Sequence, residues 1–537
     1  MTCTKGSQHR NYRWHQKLFL LIATPLALLV STTGPGLAHD DDERMGGAHS
    51  RENSRTPRGE GHRAQHHDIR LLGFHNLQAR SAYQPIIHQQ GSRWIAYIGH
   101  HGGSALNTLT GVVEPNGTSI VDVTNPRRPV YLKHLPGASG VGEAGGAQMV
   151  RACNGSDLPK GNKDKVYLLR ATSSSHEIYD VTNPSNPSLV KVIIGPLADT
   201  HKNWWECDTG IAYLVADGRP EGWKVSRMTK VYDLSDPANP IFIRNFGLVG
   251  QQPGSTLPSN QVPINLHGPI SLGPNGDPFG AGKNRIFFGY GTNSRGVLQI
   301  VDRDKLLNDP TLTTATRIAP TVDQLLFPQI GKLDLFPSAG AHTTLPVMQM
   351  AVPDFADNTQ GAVRDFVVIT DEAIANECRE NRQLVYIADV SDAAVVSKDA
   401  KLFTVSNFQV PESSGNFCQV GGRFGSHSSS ENLTTIYYKR IVFFAWFNAG
   451  VRAVDIRDPF NPVEIAYFIP ATTPDTDERC VTTNGVETCK IAIQTNNVDV
   501  DDRGFIIIVD RANTGMHILE LTGDARKIAN LPHRHDD

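Results

Sequence analysis

The chain has 537 residues, 39% hydrophobic and 20% charged, with 48 glycines and 33 prolines. That composition suits a folded globular chain, long enough for several small domains or one large repeated one. A net charge of −3 and a pI near 6.7, with no polybasic block in the folded part, give no long-range attraction for nucleic acid or anionic membrane and exclude nucleic acid as an expected partner.

Residues 1–38 read as a targeting segment. Lys5, Arg10, Arg13 and Lys17 precede the short apolar run LFLLIATPLALLV (18–30), and Gly36-Leu37-Ala38 supplies small residues for cleavage. The run is short for a membrane span, and no second candidate follows, so the mature chain is expected to have no transmembrane segment. A retained anchor is the competing reading. The arginines are not adjacent, which favours general secretion, to the periplasm or the exterior, over the twin-arginine route. Residues 39–66 are polar and almost free of large apolar side chains, the composition of a disordered linker.

Beyond Cys3, six cysteines remain, an even number in an exported chain, which points to three disulfides. Cys480 and Cys489 flank the turn-like VTTNGVET and are expected to pair locally. Cys378 with Cys418 and Cys153 with Cys207 are the favoured remaining pairs among the fifteen arrangements that six cysteines allow. No CxxC or CxxxC spacing occurs, which argues against thiolate zinc or redox chemistry.

A phrase recurs from residue 67 onward. It reads SIVDVTNPRRPVYL (119–132), EIYDVTNPSNPSLV (177–190), KVYDLSDPANPIFI (230–243) and RAVDIRDPFNPVEI (452–465). Weaker copies are QIVDRDKLLNDPTL (299–312), YIADVSDAAVVSKD (386–399) and HILELTGDARKIAN (517–530). A β-branched or aromatic run makes a strand, Asp-x-[ST]-[ND]-Pro makes a turn, and a second apolar run begins the next strand. In that turn the Asp is expected to accept from nearby backbone N–H groups.

An apolar strand precedes most copies (WIAYIGH, KVYLLRA, IAYLVAD, RIFFGYG, FVVITDE, IVFFAWF, FIIIVDR), and a more polar strand precedes that. Seven such units of four strands predict an all-β, single-domain, seven-bladed β-propeller of four-stranded antiparallel blades over residues 67–537. HDIRLLGFHNL (67–77) has no unit before it and is expected to supply the outer strand of the last unit. Two β-sandwiches are the competing architecture.

The xIVDVxxPxxP phrase resembles the LVIVD repeat of a largely uncharacterised, mostly bacterial family of propeller proteins. The resemblance spans residues 67–530 and is strongest in units one, two, three and six. It implies a fold and almost nothing about function. Units four, five and seven lack the Pro-x-x-Pro turn.

In register, the innermost strands begin AYQPII, AQMVRAC, THKNWWECD, NLHGPIS, GAHTTLPV, GSHSSSEN and QTNNVDV. Units three to six thus supply His201, His267, His342 and His427, while the others place Gln84, Gln148 and Asn496 or Asn497 nearby. The second strand of a blade ends on the face where the first begins, which adds His100-His101, Arg170, Asp217, Asp371-Glu372, Asn448 and Asp510. Histidines and carboxylates from several units therefore converge on one mouth of a channel.

Neutral imidazole with carboxylate and no thiolate suits a copper or iron ion. The predicted metal residues are His201, His267, His342, His427, Asp371 and Glu372. Hydrogen-bonding the loops that cross between blades is the structural alternative for these histidines. Trp204 and Trp205 are expected to pack rather than to bind.

GxSxG, HExxH, phosphate-loop and post-strand GxGxxG motifs are absent. FGSHSSSEN offers Ser426 or Ser428 as a nucleophile only by adjacency, which is not how triads assemble. Two functions follow. One is an exported propeller that binds a small-molecule ligand, metal or protein partner at a His-rich mouth. The other is a copper- or iron-dependent oxidoreductase using the four histidines, with Asp371, Glu372 or Glu206 assisting.

Overall fold

The computed structural model describes residues 63–353, 361–394 and 400–532. The targeting segment, most of the linker, and residues 395–399 of the fifth repeat copy lie outside the described residues. The described chain is β-rich, with several four-stranded antiparallel sheets in a propeller-like arrangement.

Each sheet follows one repeat. The third unit pairs Thr200–Trp205, Ile211–Ala216, Met228–Asp233 and Ile241–Phe246 in sequence order. The fourth pairs Leu266–Ser271, Arg285–Tyr290, Val297–Asp302 and Gln329–Asp334; the fifth starts at Thr343–Ala351 and ends at Phe403–Phe408. The first and second units share one eight-stranded sheet, because Arg93–Gly102 also pairs with Gly142–Asn154 through His100↔Ala147 and His101↔Gly146.

In the seventh unit the outer strand is Ile69–His75, which pairs antiparallel with Met516–Leu521 as the leading segment suggested. One difference appears just before it. Gln65–His67, which straddles the expected end of the linker at residue 66, adds a fifth strand to the sixth unit by pairing with Val463–Ile469.

The second strands IAYLVA, IVFFA and FIIIVD are buried at every residue, because neighbouring sheets cover both of their faces. Apolar clusters fill the gaps between successive units. Tyr97 and Leu168 join the first to the second, Leu169 and Leu214 the second to the third, and Tyr213 and Phe288 the third to the fourth. Phe287 and Val367 continue to the fifth, Phe366 and Phe444 to the sixth, and Phe443 and Ile508 to the seventh. Ile98 with Ile507 then joins the seventh back to the first.

The repeat turn works as its residues imply. Asp122, Asp180, Asp233 and Asp455 each accept from the backbone N–H two residues on, at 2.9, 3.0, 2.8 and 3.0 Å. Asn125, Asn183, Asp236 and Asp458 repeat the same bond one step further, so each turn is two linked Asx turns. Where the proline pattern is missing the chain departs: Asp302 caps the helix Arg303–Leu307, and the last copy runs into the helix Gly523–Ile528.

All three favoured disulfides form: Cys153–Cys207, Cys378–Cys418 and Cys480–Cys489. They suit an oxidising, extracytoplasmic compartment. Among the described residues, no helix is long and apolar enough to cross a membrane.

Candidate metal centre

The four in-register histidines meet. His201 Nε2 lies 2.7 Å from His267 Nε2. The ring centroids of His267 and His342 are 3.4 Å apart, and those of His342 and His427 are 4.6 Å apart. The ligand atoms of His201, His267 and His342 all lie within 4.8 Å of one another, and so do those of His342, Glu372 and His427. His342 belongs to both groups, which makes one continuous cluster.

Local strand geometry explains the convergence. Thr200↔Ala216 and Leu266↔Tyr290 are each the first pair of their inner strand, and the register shifts immediately after each. A bulge of this kind re-aims a side chain, and His201 and His267 occupy it. His342 and His427 stand one residue before the first paired residue of their strands, tied by their N–H groups to Thr370 O and Ala445 O at 3.0 Å each.

All four rings are at most 4% exposed. Burial holds each imidazole well below its ordinary pKa; Arg227 adds to the effect at His201, His201 at His267, His267 at His342 and Arg511 at His427. The rings are therefore neutral near pH 7, the form that binds metal.

Their hydrogen bonds are incomplete. His427 Nδ1 donates to the Asn496 carbonyl, which leaves Nε2 with its lone pair. His342 Nδ1 has only Thr343 Oγ1 at 3.3 Å. Nδ1 of His201, Nδ1 of His267 and Nε2 of His342 are buried without a hydrogen-bond partner. Unpaired buried nitrogens are costly; His342 Nε2 faces Glu372, where a cation would satisfy it, while the unpaired Nδ1 atoms of His201 and His267 lie across their rings from the Nε2 atoms that meet. The donor set of neutral imidazoles plus a carboxylate fits a first-row transition metal.

Glu372 is the acidic member. Its Oε2 lies 3.4 Å from His342 Nε2, and its Oε1 lies 3.7 Å from His427 Nε2 and 3.0 Å from an Arg423 guanidinium nitrogen. Burial raises its pKa, opposed by Arg423 and Arg511. Asp371 belongs to neither group, and both its oxygens lack a bond of normal geometry. Burial pushes its carboxyl well above the usual range, although the Gly340 and Leu384 N–H groups face it and oppose the shift. Consecutive residues on extended backbone point to opposite sides, so only one of the pair reaches the rings.

Glu206 is also elsewhere. It receives Arg303 at 2.8 Å, Tyr213 at 2.9 Å and Ser271 at 2.6 Å, which makes it a tie between the third and fourth units. Trp204 lies under the Arg151 guanidinium, 4.7 Å from carbon to centroid, and Trp205 fills the cluster between units two and three. The Glu478, Cys480 and Cys489 grouping holds no thiolates, because the two cysteines are bonded to each other.

Several residues at the cluster were not singled out from sequence. Tyr83 Oη is 3.0 Å from His201 Nε2. Gln84, which the sequence register also places here, hydrogen-bonds the Asn497 amide. Glu143 approaches His101 Nε2 at 3.4 Å and Arg511 at 3.3 Å. With Glu143 48% and Arg423 23% exposed, a charged rim opens to solvent above a buried imidazole floor. These rim residues carry no repeat signal. A cavity of about 720 Å³ lined by Asn293, Arg379, Glu380 and Asn381, among others, contains none of the four histidines.

No protein-family model matches the chain, and no curated protein does. A solved structure described as a hypothetical selenium-binding protein from Sulfolobus tokodaii aligns with 83% of this chain and 91% of its own. Its identity is 13% and its TM-score 0.42, an overlap too loose to carry any statement about function.

Proposed function

We propose that this is an exported seven-bladed β-propeller of the LVIVD-repeat type, residues 67–537 forming the propeller, that binds a redox-capable transition metal at one mouth of its channel. Seven repeat copies, sheets that follow them and apolar clusters that join the last unit to the first support the architecture. The observation that carries the function is the cluster of four buried imidazoles whose ligand atoms, with one from Glu372, form two groups that share His342 and lie within 4.8 Å of one another in each, three of the rings holding a nitrogen without a hydrogen-bond partner. His201, His267, His342 and His427, with Glu372, hold the ion, iron or copper. Asp371 shapes the wall behind Glu372.

A metal-dependent oxidoreductase is the second reading. The charged Glu143 and Arg423 side chains, 48% and 23% exposed beside the cluster, favour it, since they put ionisable groups between the buried rings and solvent.

The deciding experiment is elemental analysis of the purified full chain beside a His342→Ala, His427→Ala double variant. About one equivalent of iron or copper in the wild type, lost in the variant, is the expected result. A wild type that holds no metal after incubation with iron, copper and zinc salts would falsify the metal centre and leave a ligand-binding propeller.

A further inference from the structure

Strand pairing gives the first unit an equivalent of the ring histidines. Ala82↔His100 is the first pair of the inner strand Ala82–Gln90, and the register shifts immediately after it, as it does after Thr200 and Leu266. Tyr83 therefore occupies the bulge position held by His201 and His267 in the third and fourth units.

Tyr83 is 1% exposed. Its ring stands edge-on to His101, His201 and His427, with centroids 4.8, 5.5 and 5.8 Å away. Its Oη and His267 Nε2 both approach one atom, His201 Nε2, at 3.0 and 2.7 Å. A ring nitrogen has a single in-plane lone pair or a single N–H, so His201 Nε2 cannot serve both neighbours well by hydrogen bonding. Adjacent donors around a cation with bonds of about 2.0 Å stand roughly 2.8–3.3 Å apart, the separation found on the Tyr83 side and nearly so on the His267 side.

We propose that Tyr83 is an oxygen ligand of this centre and that, with Glu372, it makes ferric iron the preferred ion. The inference rests on the metal reading above. On binding, the phenol O–H bond breaks, an oxygen–iron bond forms, and the proton leaves to bulk water through the rim beside Glu143. No electron is transferred in this step. Phenolate and carboxylate are hard oxygen donors that favour a highly charged cation, and all six cysteines of the described chain are oxidised, so no soft thiolate competes.

The test loads the metal-stripped full chain, and a Tyr83→Phe variant that keeps the buried ring, with ferric iron supplied as its nitrilotriacetate complex. Zinc is titrated in parallel. The wild type is expected to take up about one equivalent of iron and develop a visible phenolate-to-iron absorption band. Tyr83→Phe abolishes the band and weakens iron at least about tenfold, with zinc affinity changed far less. Resonance Raman of the iron-loaded wild type, showing tyrosinate ring modes, supplies the same answer if the variant fails to fold. Stoichiometric iron with no band, or no tyrosinate modes, or a band that persists in Tyr83→Phe, overturns the Tyr83 assignment and leaves the histidine site standing. Failure to retain iron, copper or zinc overturns both.

Discussion

His201 and Lys202 are consecutive residues of one inner strand, Thr200–Trp205, yet they enter buried clusters of opposite character. On one side lie the imidazoles, three of them with a nitrogen that has no hydrogen-bond partner. On the other, Glu431 receives Lys202 on one oxygen and Arg151 on the second. Arg151 also gives Nε to the Asn203 carbonyl at 3.3 Å, and Lys202 reaches Thr343 Oγ1 at 3.4 Å. Gly268 leaves room for the lysine stem, since a Cβ there would stand 2.5 Å from Lys202 Cδ.

The ionic cluster draws on units two, three, five and six, and its charges answer one another. It is a tie. The imidazole cluster spans nearly the same units, but its rings are uncharged and short of hydrogen-bond partners. Satisfied networks hold a fold in register, whereas unsatisfied ones mark where something else is bound.

That contrast is breakable. Glu431→Gln removes the carboxylate that two buried cations share, so it should destabilise the chain by about 3–5 kcal/mol, read as a lowered urea midpoint. In metal-free protein, the His342→Ala, His427→Ala variant should cost less than Glu431→Gln. The reverse order would show that the imidazoles, not the ion cluster, hold the strands together.

An isolated buried imidazole calibrates the comparison. His176 bonds the Val215 carbonyl at 2.9 Å, and burial lowers its pKa from 6.5 to about 4. The unfolded chain takes up a proton below about pH 6.5 that the folded ring refuses until about pH 4. Its stabilising effect is thus complete above pH 6.5 and is lost as pH falls, by about 1.4 kcal/mol per pH unit. Denaturation midpoints measured between pH 7 and pH 4.5 should show a shallower acid slope in His176→Gln; an unchanged slope sinks the assignment.

The smallest effect belongs to the repeat turn. Asp455→Ala removes a turn hydrogen bond and the exposed Arg457 ion pair at the surface and should cost about 1 kcal/mol, with metal content unchanged. A loss of metal there would mean that the turns and the mouth are coupled, which their separation to opposite ends of the strands argues against.

Much of this was legible before any coordinates. The Asp-x-[ST]-[ND]-Pro turns state their own hydrogen bonds, because an Asx side chain and a proline act within a few residues. The four histidines could be aligned because each begins an inner strand of its unit. Tyr83 could not, since a register shift after Ala82 swaps which of two neighbours reaches the axis. Nor could the choice of Glu372 over Asp371, which depends on the side of an extended segment that faces the rings. Glu206 is one of three candidate assisting groups by sequence, and only the packing of Arg303 against it shows a structural tie.

By itself, the sequence determined the repeated unit, the turns of the four strong copies, the order of the strands and the local Cys480–Cys489 pair, because these arise from short-range chemistry. The tertiary structure alone decided which side chains share the axis. Tyr83, Glu372 and Glu431 each meet partners more than fifty residues away. Bulges, strand faces and the packing of one unit on the next set such meetings, and no local pattern encodes them.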